Sequence, residues 1–168
     1  MKLAAIKSCM AVALMLAVTL VAPSAAFADK PLREVLPLQP DLVTQRCGFP
    51  VLVHSEGQIL RNTWFDEDGN PVRAVETYPG LKYVLTNLAS QEQIAVSIVG
   101  PTFWEFASDG SATVVSAGPS VWFPYPVTRE PGIFLITGRN TFQLDASGRL
   151  TSFRLLSGQV ENLCPRLA

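Results

Sequence analysis

The stretch from Ile59 to Tyr78 reads ILRNTWFDEDGNPVRAVETY. Two runs rich in β-branched and aromatic residues, Ile59 to Phe65 and Val72 to Tyr78, flank a polar tip at Asp66 to Asn70. Asp66 can accept backbone hydrogen bonds within the tip, and Gly69 can adopt the positive φ that closes it. The stretch is therefore a β-hairpin. Two further segments carry the same signal: Phe106-Ala107-Ser108-Asp109-Gly110 and Leu144-Asp145-Ala146-Ser147-Gly148. Consecutive hairpins make antiparallel neighbours, so the fold class follows from these three turns.

Working outward, all 11 Gly lie between Gly48 and Gly158, most of them 8 to 12 residues from the next, which is the turn rhythm of short consecutive strands. Strands are expected at Val51 to His54, Leu81 to Leu88, Gln93 to Val99, Thr102 to Ala107, Ala112 to Ser116, Ile133 to Gly138, Asn140 to Asp145 and Leu150 to Leu156. Pro or Gly at nearly every boundary leaves no room for a core helix beyond a short turn near Ser90. Gly138 inside one run predicts a bulge or a corner at Arg139 and Asn140. Trp64, Phe103 and Trp104 are expected in the core. The whole reads as an all-β antiparallel meander forming a closed or nearly closed small β-barrel, which would leave no exposed edge; the alternative is a two-sheet β-sandwich.

The chain has 168 residues and a net charge of −1, with 48% hydrophobic residues. Its first 28 residues differ from the rest: Lys2 and Lys7 precede an apolar run from Met10 to Ala22, and Ala26 and Ala28 are small residues placed for a cut before Asp29. That is the pattern of a secretory signal peptide, with a signal anchor as its rival; Pro23 and Ser24 break the run where cleavage needs an extended chain. Removing Lys2 and Lys7 leaves 11 basic against 14 acidic residues, a net charge of −3. This composition excludes a polytopic membrane protein, a disordered tail and a basic nucleic-acid binder, and predicts no stable membrane span after cleavage. Residues 29–46, with three Pro and no Gly, read as a linker or strap, and residues 47–168 as a single β domain.

Export fixes the redox setting. Loss of Cys9 with the leader leaves Cys47 and Cys164, an even pair that reads as one disulfide in an oxidising space. No metal site is expected, because two cysteines and His54 make an incomplete ligand set. Asp66, Asp68 and Asn70 have the opening spacing of a calcium loop, but Pro71 and Thr77 stand where such a loop needs Gly and Glu. No cofactor motif is present.

Among candidate chemical groups, Glu76 and Glu105 are the acids placed within strands, and His54 is the one histidine. Two carboxylates facing one cavity, about 5 to 10 Å apart, would support acid–base or glycosidic chemistry. His54, Ser55 and Glu56 cannot form a triad with one another, since adjacent strand residues point to opposite faces. The segment Gly118-Pro119-Ser120-Val121-Trp122-Phe123-Pro124-Tyr125-Pro126 is stiff and apolar, so Trp122, Phe123 and Tyr125 are the candidate ligand-binding residues. They would either stack on a ligand or plug one end of the fold.

The residues Cys47-Gly48-Phe49-Pro50-Val51, Thr77-Tyr78-Pro79-Gly80, Leu85-Thr86-Asn87, Gly118-Pro119, Pro131-Gly132-Ile133-Phe134, Gly138-Arg139 and the closing Leu163-Cys164, with the Phe65 to Asn70 turn, resemble an uncharacterised family of small secreted actinobacterial proteins. The resemblance covers most of residues 47–168. It implies export from a Gram-positive bacterium and brings no activity. Functionally, the sequence points first to a secreted non-enzymatic binding protein for an extracellular ligand: a small apolar molecule, a glycan or a protein. The alternatives are a small barrel isomerase or hydrolase using Glu76, Glu105 or His54, and a structural or inhibitory surface protein.

Overall fold

Runs of β-forming residues broken at intervals by Gly or Pro give, among the described residues, regular structure that is strand except for one helical turn. The computed structural model describes residues 30–124, 126 and 129–168; the leader, its cleavage point and Tyr125 lie outside the described residues. The lead-in contributes β1 (Leu32–Leu36) and β2 (Leu42–Thr44). β3 (Val51–Glu56), β4 (Ile59–Phe65), β5 (Pro71–Thr77), β6 (Lys82–Asn87) and β7 (Gln93–Ser97) follow. Then come β8 (Thr102–Phe106), β9 (Ala112–Ala117), β10 (Ser120–Trp122), β11 (Phe134–Leu144) and β12 (Leu150–Asn162). A single turn of helix, α1 (Cys164–Leu167), closes the described chain.

These strands form two antiparallel sheets. The larger, of eight strands, has the order β1-β4-β5-β8-β9-β11-β10, with β12 on the other side of β11; the smaller has the order β2-β3-β6-β7. The chain passes between them at its breaks: β3 leads into β4 past Gly57, β5 into β6 past Pro79-Gly80, and β7 into β8 past Gly100-Pro101. Strands that bend and change sheet in this way tie two sheets into one unit. Glycine is required where backbone meets backbone. A Cβ at Gly138 would collide with the Ser157 carbonyl, and one at Gly158 with the Thr137 carbonyl, so β11 and β12 cross this line only as a facing glycine pair. The ladder shifts register beside it, between Arg139 and Asn140, which is the bulge the sequence announced.

Neither sheet closes on itself, so the barrel expectation is corrected to the two-sheet arrangement. The strands of residues 30–46 stand at one end of each sheet. The larger sheet ends at β1, which pairs Leu32 with Thr63 through Leu36 with Ile59, and among the described residues no strand pairs β1 on its other side. β2 covers the edge of β3 in the same way. The lead-in is a strap that completes both sheets. Phe103 and Trp64 also depart from expectation: they point out of the larger sheet, Phe103 at 44% exposure and Trp64 beneath the Arg73 guanidinium, 4.3 Å from the ring centre. Trp104, one residue along from Phe103, faces inward.

The main core sits against the smaller sheet, where Val51, Val53, Leu85 and Val96 meet Leu81, Ile98, Ile133, Leu163 and Leu167. Each such side chain contributes roughly 1.5 to 3 kcal/mol when fully buried. The C-terminal turn is held in three ways: Leu163 and Leu167 are fully buried, Asn87 Nδ2 donates to the Leu167 carbonyl at 2.7 Å, and Cys47 is bridged to Cys164 with a Cα separation of 5.2 Å. The bridge spans 117 residues, so the loop-entropy model assigns it about 5 kcal/mol, less any native strain. Among the described residues no helix is long and apolar enough to cross a membrane.

The three hairpin tips behave as their sequences require. Asp145 Oδ1 accepts from the backbone N–H groups of Ser147 and Arg149, both at 3.0 Å, and from Ser147 Oγ at 2.6 Å. The Ser147 hydroxyl and the Arg149 backbone hold its carboxyl at a pKa of about 2. Asp66 accepts from the backbones of Asp68 and Asn70 and is lowered chiefly by Asn70. The Asp-x-Asp-x-Asn spacing is thus consumed by the turn.

Two predictions follow from these constraints. Replacing both Cys47 and Cys164 by Ser lowers unfolding free energy by several kcal/mol in urea denaturation, about 5 at most; a loss under about 1 kcal/mol would mean that core packing alone holds the ends together. Asp145 has a folded pKa below its unfolded value, so its contribution is present above pH ~4 and is lost as pH falls toward 2. Asp145→Asn should therefore flatten the stability profile over that interval, as read by thermal melts at several pH values.

Candidate functional site

Between the two sheets lies a pocket of about 300 Å³. Its floor is built by strand register. Arg61 on β4, Glu76 on β5, Thr102 on β8, Ser116 on β9 and Asn140 on β11 stand opposite one another in successive pairs. Residues directly opposite in antiparallel strands share a face and bring their Cβ atoms within about 5 Å. The five therefore form one polar row across the inner face. Two residues along each strand runs a second row, Thr63, Ala74, Trp104, Val114 and Phe142, which continues to Phe153 on β12.

From Arg61 to Ser116 the polar row is a connected network, joined through Tyr78. Arg61 donates from Nε, at 2.8 Å, and from Nη2 to Glu76 Oε1. Tyr78 is hydrogen-bonded to Glu76 Oε2 at 2.9 Å and to Thr102 Oγ1 at 2.7 Å. Thr102 Oγ1 in turn lies 3.2 Å from Ser116 Oγ. Glu76 has only 8% of its side chain exposed, so pairing with Arg61 is what makes an ionised carboxylate tolerable there. Burial, and then the Glu76 charge, push the Tyr78 phenol well above its ordinary range. Burial raises Tyr83 across the pocket as well.

Aromatic rings form the wall. Trp122 meets Phe142 edge-on at 5.4 Å and Phe153 at 5.6 Å, and its Nε1 donates to Ser120 Oγ at 3.0 Å. Trp104 stands at 6.4 Å from Phe142, with the Arg61 guanidinium 5.1 Å from its ring centre. Ile59, Leu81 and Ile98 complete the apolar lining. Among the described residues, two buried polar groups have no hydrogen-bond partner: Trp104 Nε1, and both amide atoms of Asn140, a residue at 0% exposure.

The candidates read from sequence separate cleanly here. Glu76 and Trp122 line the pocket. Phe123 packs against the main core, and Tyr125 is outside the described residues. Glu105 is exposed on the opposite face of β8, paired across the strands with Arg73 and Thr113. His54 is on the outer side of β3, bonded through Nδ1 to Asp41 Oδ1 at 2.6 Å. The structure does not bring Glu76, Glu105 and His54 together. Tyr78, Thr102, Ser116, Trp104 and Asn140 were not singled out as site residues, yet three of them carried a signal. Thr102, Ser116 and Asn140 each stand two residues from a glycine break, at Gly100, Gly118 and Gly138, and share a face with an apolar residue two further on.

A scan of protein-family models, a search of curated proteins and a search of solved structures each return no match for the chain.

The ion pair is the anchor of the row. Arg61→Leu would strand a buried carboxylate and cost about 2 to 4 kcal/mol, somewhat below the fully buried range because Arg61 is 27% exposed. Adding Glu76→Leu to it should recover most of that loss in denaturant titration, since an apolar pair replaces a charged one. A double variant no more stable than Arg61→Leu alone would show that the pair does not act as a unit.

Proposed function

We propose that the protein is a secreted, non-enzymatic binding protein that holds a small, largely apolar molecule in the pocket between its two sheets. The observation that carries this reading is the pocket itself: a concave site of about 300 Å³ with aromatic walls and a few convergent polar groups on one side. That combination is the usual build of a small-molecule site. At about 30 Å³ per water molecule the space corresponds to on the order of ten waters, the size of a bicyclic ligand. The Cys47–Cys164 bridge suits an oxidising extracellular setting. The leader and the family resemblance favour export from a Gram-positive bacterium.

Of the ligand classes open from sequence, the geometry favours the small molecule. Trp122 is turned into the protein against Phe142 and Phe153 and is not a free stacking platform for a glycan or a protein surface. Glu76 lines the pocket without a second carboxylate, and its own is engaged by Arg61, which argues against paired-acid hydrolysis.

Screening the native disulfide-bonded protein against small aromatic and alicyclic compounds, by Trp fluorescence and thermal shift together, tests this reading. A ligand present at 100 times its Kd should stabilise the fold by about 2.7 kcal/mol, and Trp104 and Trp122 should report it. Ser116→Leu, which fills the floor, should abolish the response while the variant stays folded. Absence of any response across such a set would refute the small-molecule reading.

A further inference from the structure

The hydrogen bonds of the floor fix which kind of polar group a ligand must carry. Glu76 is paired with Arg61 through Oε1, so as a carboxylate it only accepts, and the Tyr78 hydroxyl must spend its one proton on Oε2. With its one proton on Glu76, Tyr78 can meet Thr102 Oγ1, 2.7 Å away, only as an acceptor, so the proton of that contact has to come from Thr102, and the proton between Thr102 and Ser116 from Ser116. One buried charge thus sets the direction of every bond along the row. Each hydroxyl proton is used inside the protein, and what Tyr78, Thr102 and Ser116 keep for the pocket is lone pairs. Ser120 is in the same position, accepting from Trp122 Nε1 while its own proton points to the Ile136 carbonyl. Tyr83, on the opposite side, carries a hydroxyl that can play either part.

We infer that the pocket selects neutral, flat, apolar molecules bearing a hydrogen-bond donor, above all a hydroxyl, and rejects carboxylates and phosphates. The inference rests on the pocket being the binding site and goes on to assign its ligand class. A ligand hydroxyl donates its proton to the floor. An ether leaves the buried lone pairs of the floor without protons, and an anion meets lone pairs along the floor and gives up its hydration there without a donor from Tyr78, Thr102 or Ser116 in return. A cationic ligand gains little, because Arg61 already neutralises Glu76 and sits against the Trp104 ring.

Three bicyclic probes of nearly equal shape separate these cases: 2-naphthol, 2-methoxynaphthalene and 2-naphthoate, titrated calorimetrically into the native protein at neutral pH. 2-Naphthol should bind about tenfold more tightly than the methyl ether, the usual penalty for leaving a buried acceptor unpaired, and the naphthoate should bind most weakly. Glu76→Gln then tests the mechanism. Arg61 would hold the Gln carbonyl, so the Gln amide would donate to Tyr78; the Tyr78 proton would turn to Thr102, and that of Thr102 to Ser116. The floor would then present a proton, and the advantage of 2-naphthol over the ether should shrink to within about threefold. Ser116→Ala, which keeps the fold if Glu76→Gln does not, should weaken 2-naphthol more than the ether. Tighter binding of the ether or the naphthoate by the native protein would overturn the donor selectivity while leaving the pocket as a binding site. Binding of none of the three would remove the pocket reading along with it.

Discussion

A carboxylate cannot be taken out of water without donors, and at Glu76 that requirement organises the interior. The charge is met by two N–H groups of Arg61 from the neighbouring strand and by the phenol of Tyr78. To supply them, β4 and β5 must keep the register that sets Arg61 opposite Glu76, and β5 must carry Tyr78 into the bend toward the smaller sheet. A one-residue slip would turn every inner residue of a strand outward. The ion pair is therefore as much a register device as a source of stability.

The glycine breaks supply the space in which this row becomes a site. A sheet of long unbroken strands would leave its inner face either packed flat or open to water. Here the chain crosses from one sheet to the other at Gly57, Gly80 and Gly100, and β11 and β12 pass each other at Gly138 and Gly158, where no side chain could fit. Beside these breaks a concave space of about 300 Å³ is left between the two sheets. Polar residues are tolerated there because they satisfy one another, with the Asn140 amide and the Trp104 indole as the two exceptions.

Local features of the fold were legible in the sequence because they are set by neighbouring residues. The Asp66, Asp109 and Asp145 turns, the bulge at Arg139 and the Cys47–Cys164 pairing each follow from a few adjacent residues or from compartment chemistry. Closure was not legible. The larger sheet ends at Leu32–Leu36, a segment among prolines with no period to mark it as a strand. The site was half legible for a similar reason. Glu76 and Glu105 look alike as acids within strands, and only their parity separates them: Glu76 shares a face with buried Ala74, whereas Glu105 shares one with exposed Phe103. The polar row itself is spread over five strands and 80 residues of sequence, from Arg61 to Asn140, so no local pattern could assemble it.

The direction of the hydrogen bonds along that row carries the functional account, and neutron diffraction from a deuterium-exchanged crystal would observe it directly. The deuteron of Tyr78 should point to Glu76 Oε2, that of Thr102 to the Tyr78 oxygen, and that of Ser116 to Thr102 Oγ1. A Tyr78 deuteron pointing to Thr102, with the proton on Glu76 instead, would contradict the account, because the floor would then offer protons where it is held to offer lone pairs.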